Sequence, residues 1–134
     1  MIFLDTGPIL AYANTNDEQH TRATEIFKEI DDGIYGNAAI TDYVFDEAIT
    51  LTISRTKNFK LAIKTGEYLL KSIDFLKVDQ SMFNDAWGIF KAQHSHALSF
   101  TDCSIIAACK ANGISTIATF DSTLKYESRL IIID

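Results

Sequence analysis

Cysteine is scarce in this sequence and basic residues are outnumbered, and each shortage closes off a class of protein. The only cysteines are Cys103 and Cys109; their spacing puts them on different faces of a helix, so neither a disulfide framework nor a zinc cluster is suggested. Against 18 Asp and Glu stand 12 Lys and Arg, for a formal net charge of −6 and a pI near 4.9. That balance argues against a broad basic face for gripping duplex nucleic acid. It leaves room for chemistry in which acidic side chains hold a cation, because the bound ion reverses the local field.

Apolar runs long enough to cross a bilayer are missing too. The apolar opening MIFLDTGPILAYA is broken by Asp5 and has no basic leader, so it reads as a strand and helix of the fold rather than a signal peptide. These absences place the chain in a reducing cytoplasm, without a membrane partner. There is no Gly-rich nucleophile elbow, no placed Cys–His pair and no phosphate-binding P-loop. Repeats, linkers and low-complexity segments are lacking, and the length of 134 residues suits one domain over 1–134.

What is present is an alternation of short apolar runs and helical patterns. Ile2-Phe3-Leu4 reads as a buried strand ended by Asp5-Thr6-Gly7-Pro8, with Pro8 in the first turn of a helix. A helix follows from Asp17 to about Asp31, closed by Gly33 and Gly36. Ala38 to Thr41 predicts a second buried strand. Helices are then predicted from Asp42 to about Arg55 and from about Asn58 to Ser72. The segment Ile73 to Val78 is a third strand, and Gln80 to about His94 returns to helical spacing. Thr101 is a natural N-cap for a helix stopped by Asn112-Gly113. Ile114 to Thr119 is a β-branched strand, Asp121-Ser122 a turn, and Leu130 to Ile133 a last strand. Five short buried strands separated by helices predict an α/β fold with a central parallel sheet covered on both faces.

In such sheets ligands gather beyond the carboxyl ends of the strands. Asp5 ends the first strand, Asp102 lies in the first turn of the helix that Thr101 caps, and Asp121 follows the fourth strand. Glu47 sits inside a helix, and on a helical projection it is the acid that borders the buried stripe of Val44 and Leu51, with Asp42 and Asp46 turned toward the polar side. Each acid alone has an ordinary alternative reading: turn residues for Asp5 and Asp121, a complement to a helix dipole for Asp102, solvation for Glu47. Their coincidence at one edge favours a shared cation, since crowded carboxylates repel one another without one. Oxygen-only ligands select Mg²⁺ or Mn²⁺ over zinc. His20, His94 and His96 read as surface histidines. Thr6 and Thr101 are possible supporting hydroxyls, Thr101 equally a cap alone.

At these residues the sequence resembles the PIN-domain family, in four separated blocks that span nearly the whole chain. Ile2-Phe3-Leu4-Asp5-Thr6 is similar to the first block and Ile40 through Ala48, with Glu47, to the second. Leu98-Ser99-Phe100-Thr101-Asp102, running on through Ile106-Ala107-Ala108, is similar to the third and is the most specific. Thr119-Phe120-Asp121 resembles the fourth. The resemblance implies a PIN-like three-layer α/β/α sandwich with a central five-stranded parallel sheet. It also implies a Mg²⁺- or Mn²⁺-dependent endoribonuclease with Asp5, Glu47, Asp102 and Asp121 as metal ligands and catalytic residues. Asp85 lies where some relatives carry a further acid, and a register shift would hand the role of Glu47 to Asp46. Free-standing domains of this length resemble VapC-type toxins, which implies a homodimer and a VapB-like antitoxin that occludes the acidic site. The attack implied is by a metal-activated water, with no protein nucleophile.

Half of the basic residues fall between Arg55 and Lys77. Arg55, Lys57, Lys60 and Lys64 form a candidate path for single-stranded or structured RNA, or simply a solvated face. No aromatic platform for stacking bases can be identified from the sequence. Two other readings stand beside the nuclease: a phosphoacceptor receiver-like signalling domain, and a catalytically silent PIN scaffold that binds RNA or protein.

Overall fold

A computed structural model describes residues 1–134. The chain runs β1 (Ile2–Leu4), α1 (Thr6–Ala13), α2 (His20–Asp31), β2 (Ala38–Thr41), α3 (Asp42–Thr56) and α4 (Phe59–Ser72). It continues through β3 (Asp74–Leu76), α5 (Gln80–Ala92), α6 (Phe100–Ala111), β4 (Thr116–Ala118), α7 (Ser122–Glu127) and β5 (Ile131–Ile133). All strand pairings are parallel, in the order β3-β2-β1-β4-β5. This is the predicted three-layer α/β/α sandwich with a five-stranded parallel sheet.

The order fixes where a site can form. From β1 the chain builds outward to β2 and β3, then crosses back to lay β4 on the other side of β1. Connections on either side of that reversal diverge, and a crevice opens beyond the carboxyl ends of β1 and β4. The three central strands supply the core: Ile2, Phe3, Leu4, Ala39, Ile40, Ile117 and Ala118 are buried together with Ile26, Phe27, Leu69, Ile105 and Leu124. Helix α6 is buried on several sides, from Cys103 to Ile105 and from Ala107 to Cys109. Both cysteines are therefore free and buried although they lie on different faces. Burial pushes the Cys109 thiol up to about 12, which makes it an unreactive packing residue.

Four expectations are corrected. The outer strands are not buried: Asp74 and Phe75 of β3 and Ile131 of β5 are exposed, because an edge strand has a neighbour on one side only. Helix α6 begins two residues earlier than a Thr101 cap would give. Ser99 is its N-cap, and Ser99 and Asp102 exchange hydrogen bonds in a capping box, which satisfies two orphan donors where a threonine cap would satisfy one. Asp121-Ser122 is not a simple turn, for Asp121 accepts from the Thr123 N–H and caps the short helix α7. The second helix starts at His20 rather than Asp17, whose side chain instead closes a turn with the Gln19 N–H. No helix is long and apolar enough to cross a membrane.

Candidate metal centre

Asp5 sits where β1 gives way to α1. Its backbone N–H donates to the Ala118 carbonyl at 3.0 Å, so the end of β1 is tied to β4 across the crevice. It is 7% exposed. Oδ1 accepts the Thr6 N–H at 2.7 Å and Oδ2 accepts the Thr119 hydroxyl at 2.7 Å. Thr119 in turn accepts the Asp121 N–H at 3.0 Å. One buried hydroxyl thereby holds the first acid and fixes the backbone of the last. Sequence reasoning gives Thr119 no role; the signal is its position two residues before an aspartate, the spacing of a hydroxyl-closed turn.

Glu47 is half-buried on α3, and its Oε2 accepts the Thr6 hydroxyl at 2.6 Å. That bond, spanning 41 residues of sequence, sets the register of α3 against α1 and orients Glu47 rather than the exposed Asp46. Asp42 is occupied elsewhere: it accepts the Val78 N–H at 3.0 Å and faces Lys77 at 4.0 Å, joining α3 to the chain after β3. Asp102 is 9% exposed, and its Oδ2 accepts the Ser99 N–H at 2.7 Å. Asp121 is exposed, with Oδ1 accepting the Thr123 N–H at 2.7 Å.

The four carboxylates act on one another. Burial pushes the Asp5 carboxyl up to about 6; the Thr119 and Thr6 hydrogen bonds oppose this, and the charges of Asp102 and Glu47 add to it. Asp102 is also raised, first by burial, against the Ser99 hydrogen bonds and with the charges of Asp121 and Glu47 adding. The structure therefore brings Asp5, Glu47, Asp102 and Asp121 into one electrostatic unit. No cationic side chain offsets the repulsion at Asp5 or Asp102.

Could this unit hold a hard cation? Its donors are all oxygen, the chemistry that suits Mg²⁺ or Mn²⁺. One oxygen each of Glu47, Asp102 and Asp121 accepts no hydrogen bond from the protein, the partner oxygen being the one held. No three groups are already drawn into a finished ligand cage. Both oxygens of Asp5 are held, by the Thr6 N–H and the Thr119 hydroxyl, so the free oxygens are those of Glu47, Asp102 and Asp121, and the set fits a hard cation by the chemistry of its donors.

Other candidates lie apart. Thr101 is half-buried beside Glu47 in a cleft, but its carbonyl accepts the Ser104 hydroxyl and it caps nothing. Asp85, His94 and His96 are exposed. His20 differs from the expected surface histidine, since it is half-buried with Nδ1 2.7 Å from the Ala11 carbonyl. Arg55 is in the last turn of α3, about 12 Å along the helix from Glu47. Lys57 is its left-handed C-cap, and Lys60 and Lys64 are exposed on α4. These cations are not part of the acidic unit.

A family model described as PIN domain matches residues 2–126. No curated protein matches the chain. Among solved structures, the chain is similar to Mycobacterium tuberculosis VapC20, a sarcin-ricin loop cleaving toxin. The TM-score is 0.85 and the identity 20%, over 96% of this chain and 95% of that one. FitAcB from Neisseria gonorrhoeae matches with TM-score 0.72 and 20% identity over 100% of this chain and 97% of that one. VapBC2 from Rickettsia felis, bound to a DNA fragment from their promoter, matches with TM-score 0.70 and 16% identity over 99% and 98%.

Proposed function

The chain belongs to the PIN-domain family, and on that premise we propose that it is a Mg²⁺- or Mn²⁺-dependent endoribonuclease, the toxin of a VapBC-type toxin–antitoxin pair. The observation that carries the reading is the carboxylate unit around Asp5. A buried acid raised to about 6 with Asp102 and Glu47 adding to its cost weakens the folded protein unless a cation relieves it. Asp5, Glu47, Asp102 and Asp121 would hold the metal. When bound, Mg²⁺ or Mn²⁺ supplies Lewis acidity toward phosphate oxygen and a water acidified toward neutral pH.

The chain's own residues supply position. Thr119 and the Thr6 N–H clamp Asp5, the Thr6 hydroxyl clamps Glu47, and the Ser99 N–H clamps Asp102, so each of these three carboxylates is oriented by a neighbouring residue. Thr101 stands beside Glu47 with a hydroxyl available to phosphate or water. Single-stranded or structured RNA approaches past Arg55, Lys57, Lys60 and Lys64, whose charges locally offset the net −6 of the chain and neutralise phosphates. The partners proposed are a second copy of the chain and a VapB-like antitoxin, in the cytoplasm. VapC20 as a cleaving toxin and VapBC2 as a complex support this by likeness of fold. Family membership leaves the phosphoacceptor reading without support.

The test incubates purified protein and Mn²⁺ with single-stranded RNA beside Asp5→Asn and Asp102→Asn. Cleavage by the wild type that falls by about a hundredfold or more in both variants is expected. Equal cleavage by all three overturns the assignment.

A further inference from the structure

Beside Glu47 lies a cleft of about 360 Å³, of whose lining only Glu47 and Thr101 enter the proposed metal chemistry. Its walls are Tyr43, Asp46, Glu47, Thr50, Leu51 and Thr101, and its volume falls within the range of small-molecule sites. The α3 side supplies Tyr43, Asp46, Thr50 and Leu51; Thr101 reaches it from the first turn of α6, next to Asp102. The cleft thus opens directly on the carboxylate unit, with Glu47 as the shared wall.

Three features specify what fits. Tyr43 is half-buried, and its ring packs against Phe100 at 6.2 Å between centroids. Phe100 is itself held by Phe83, Trp87 and Phe90. Tyr43 is therefore part of an aromatic cluster, which limits the freedom of its ring and lowers the cost of stacking another ring on it. Asp46 is exposed and is in no ion pair, so its carboxylate is free to accept hydrogen bonds. Two carboxylates at the walls repel phosphate, whereas the hydroxyls of Thr50 and Thr101 donate or accept.

From these, and resting on the nuclease reading above, we infer that the cleft is a base-binding subsite for the nucleotide next to the cleaved phosphodiester, and that it selects guanine. The base stacks on Tyr43, and its parallel N1–H and N2–H donors meet the Asp46 carboxylate. Adenine and cytosine offer one exocyclic amino group to that carboxylate, and uracil offers no amino group at all. Stacking on aromatic walls with hydrogen bonds to the Watson–Crick edge is the general way proteins read unpaired RNA. An arginine of a protein partner would use the carboxylates and stack on Tyr43 as well; the base is the occupant favoured because the cleft adjoins the proposed cleavage centre, where the RNA chain must lie.

The test titrates ¹⁵N-labelled protein with guanosine, adenosine, cytidine and uridine and follows backbone amide shifts. Guanosine is expected to move amides from Tyr43 to Leu51 and at Thr101. Its affinity should fall about tenfold in Tyr43→Ala, the loss typical of one stacked base, and stay near wild type in Tyr43→Phe. Asp46→Asn, at an exposed position that folding tolerates, should abolish the preference for guanosine. Shifts elsewhere, equal shifts from all nucleosides, or displacement by arginine with no nucleoside response overturn the inference. RNA cleavage by the same proteins separates the two claims. Guanosine bound here without any Mn²⁺-dependent cleavage keeps a guanine-binding cleft and sinks the nuclease. Cleavage without base preference, with no nucleoside shifts, sinks the subsite alone.

Discussion

Asp5 carries the largest local conflict, and its sign can be worked out. Its carboxyl is raised from 3.8 to about 6, so between those values the metal-free folded protein binds a proton that the unfolded chain has released. Stability then falls as pH rises from about 4 to 6 and is lower above it by about 3 kcal/mol, a little over two pKa steps. Asp5→Asn removes the charge. Chemical denaturation in EDTA is expected to show a variant more stable than wild type at pH 7, by less than about 3 kcal/mol because Asn keeps one acceptor for two donors, and with a smaller pH dependence between about 4 and 6, the remainder including the raised Asp102; a destabilised variant with the same pH slope would contradict this. Thr119→Val keeps the shape and deletes the donor. It leaves Asp5 Oδ2 and the Asp121 N–H unpaired, with an expected cost of about 1–3 kcal/mol and a further rise of the Asp5 pKa. NMR titration of the Asp5 carboxyl reads the latter directly. At this scale Asp5 and Asp121 are legible in the sequence as acids that follow strands, and Asp102 as an acid in the first turn of a helix. Thr119 is not, because a hydroxyl at a strand end looks like any other β-branched residue until its partner 114 residues away is placed.

Among the elements, α6 shows what local pattern reading resolves and what it blurs. The helix and its stop at Asn112-Gly113 follow from spacing, and Gly113 does adopt a positive φ of 65°. Its start is carried by Ser99-Phe100-Thr101-Asp102, which has the spacing of a capping box; taking Thr101 alone as the cap passes over that signal, and the reciprocal bonds of Ser99 with Asp102 show it. Ser99→Ala is expected to cost about 1 kcal/mol of stability, because the Asp102 N–H loses the Ser99 hydroxyl, and to reduce metal affinity through loosening of the turn that presents Asp102, although the Ser99 N–H still holds its carboxylate. Unchanged metal affinity by calorimetry would make Ser99 a cap only. Helix α7 looks like a turn in the sequence, since its six residues are too few to show a period. The pairing of α3 with α4 is also hidden there. Gly66 allows that approach, as a Cβ there would sit 3.3 Å from the Ile49 Cδ1 and 3.5 Å from the Phe45 ring. Gly66→Leu is expected to lower stability by about 1–3 kcal/mol through overpacking, visible as a fall in the thermal midpoint.

Over the whole molecule, the alternation of strands and helices makes the parallel sheet legible, whereas the strand order is not, since it depends on pairings between distant segments. That order is what turns acids scattered from residue 5 to residue 121 into neighbours. Charge is divided in the same way, with an acidic edge in a chain of net −6 and exposed cations on α3 and α4. If RNA passes over Lys60 and Lys64, replacing both with Ala should weaken binding of all sequences alike. It should also flatten the salt dependence by about 0.7 in log–log slope for each phosphate no longer neutralised. An unaltered slope would make them solvating residues. Asp5, Glu47, Asp102 and Asp121 are proposed to close around divalent metal. Anomalous diffraction from crystals grown with Mn²⁺ tests this most directly: a manganese peak bounded by these four carboxylates is the result predicted, and manganese bound only away from them would contradict it.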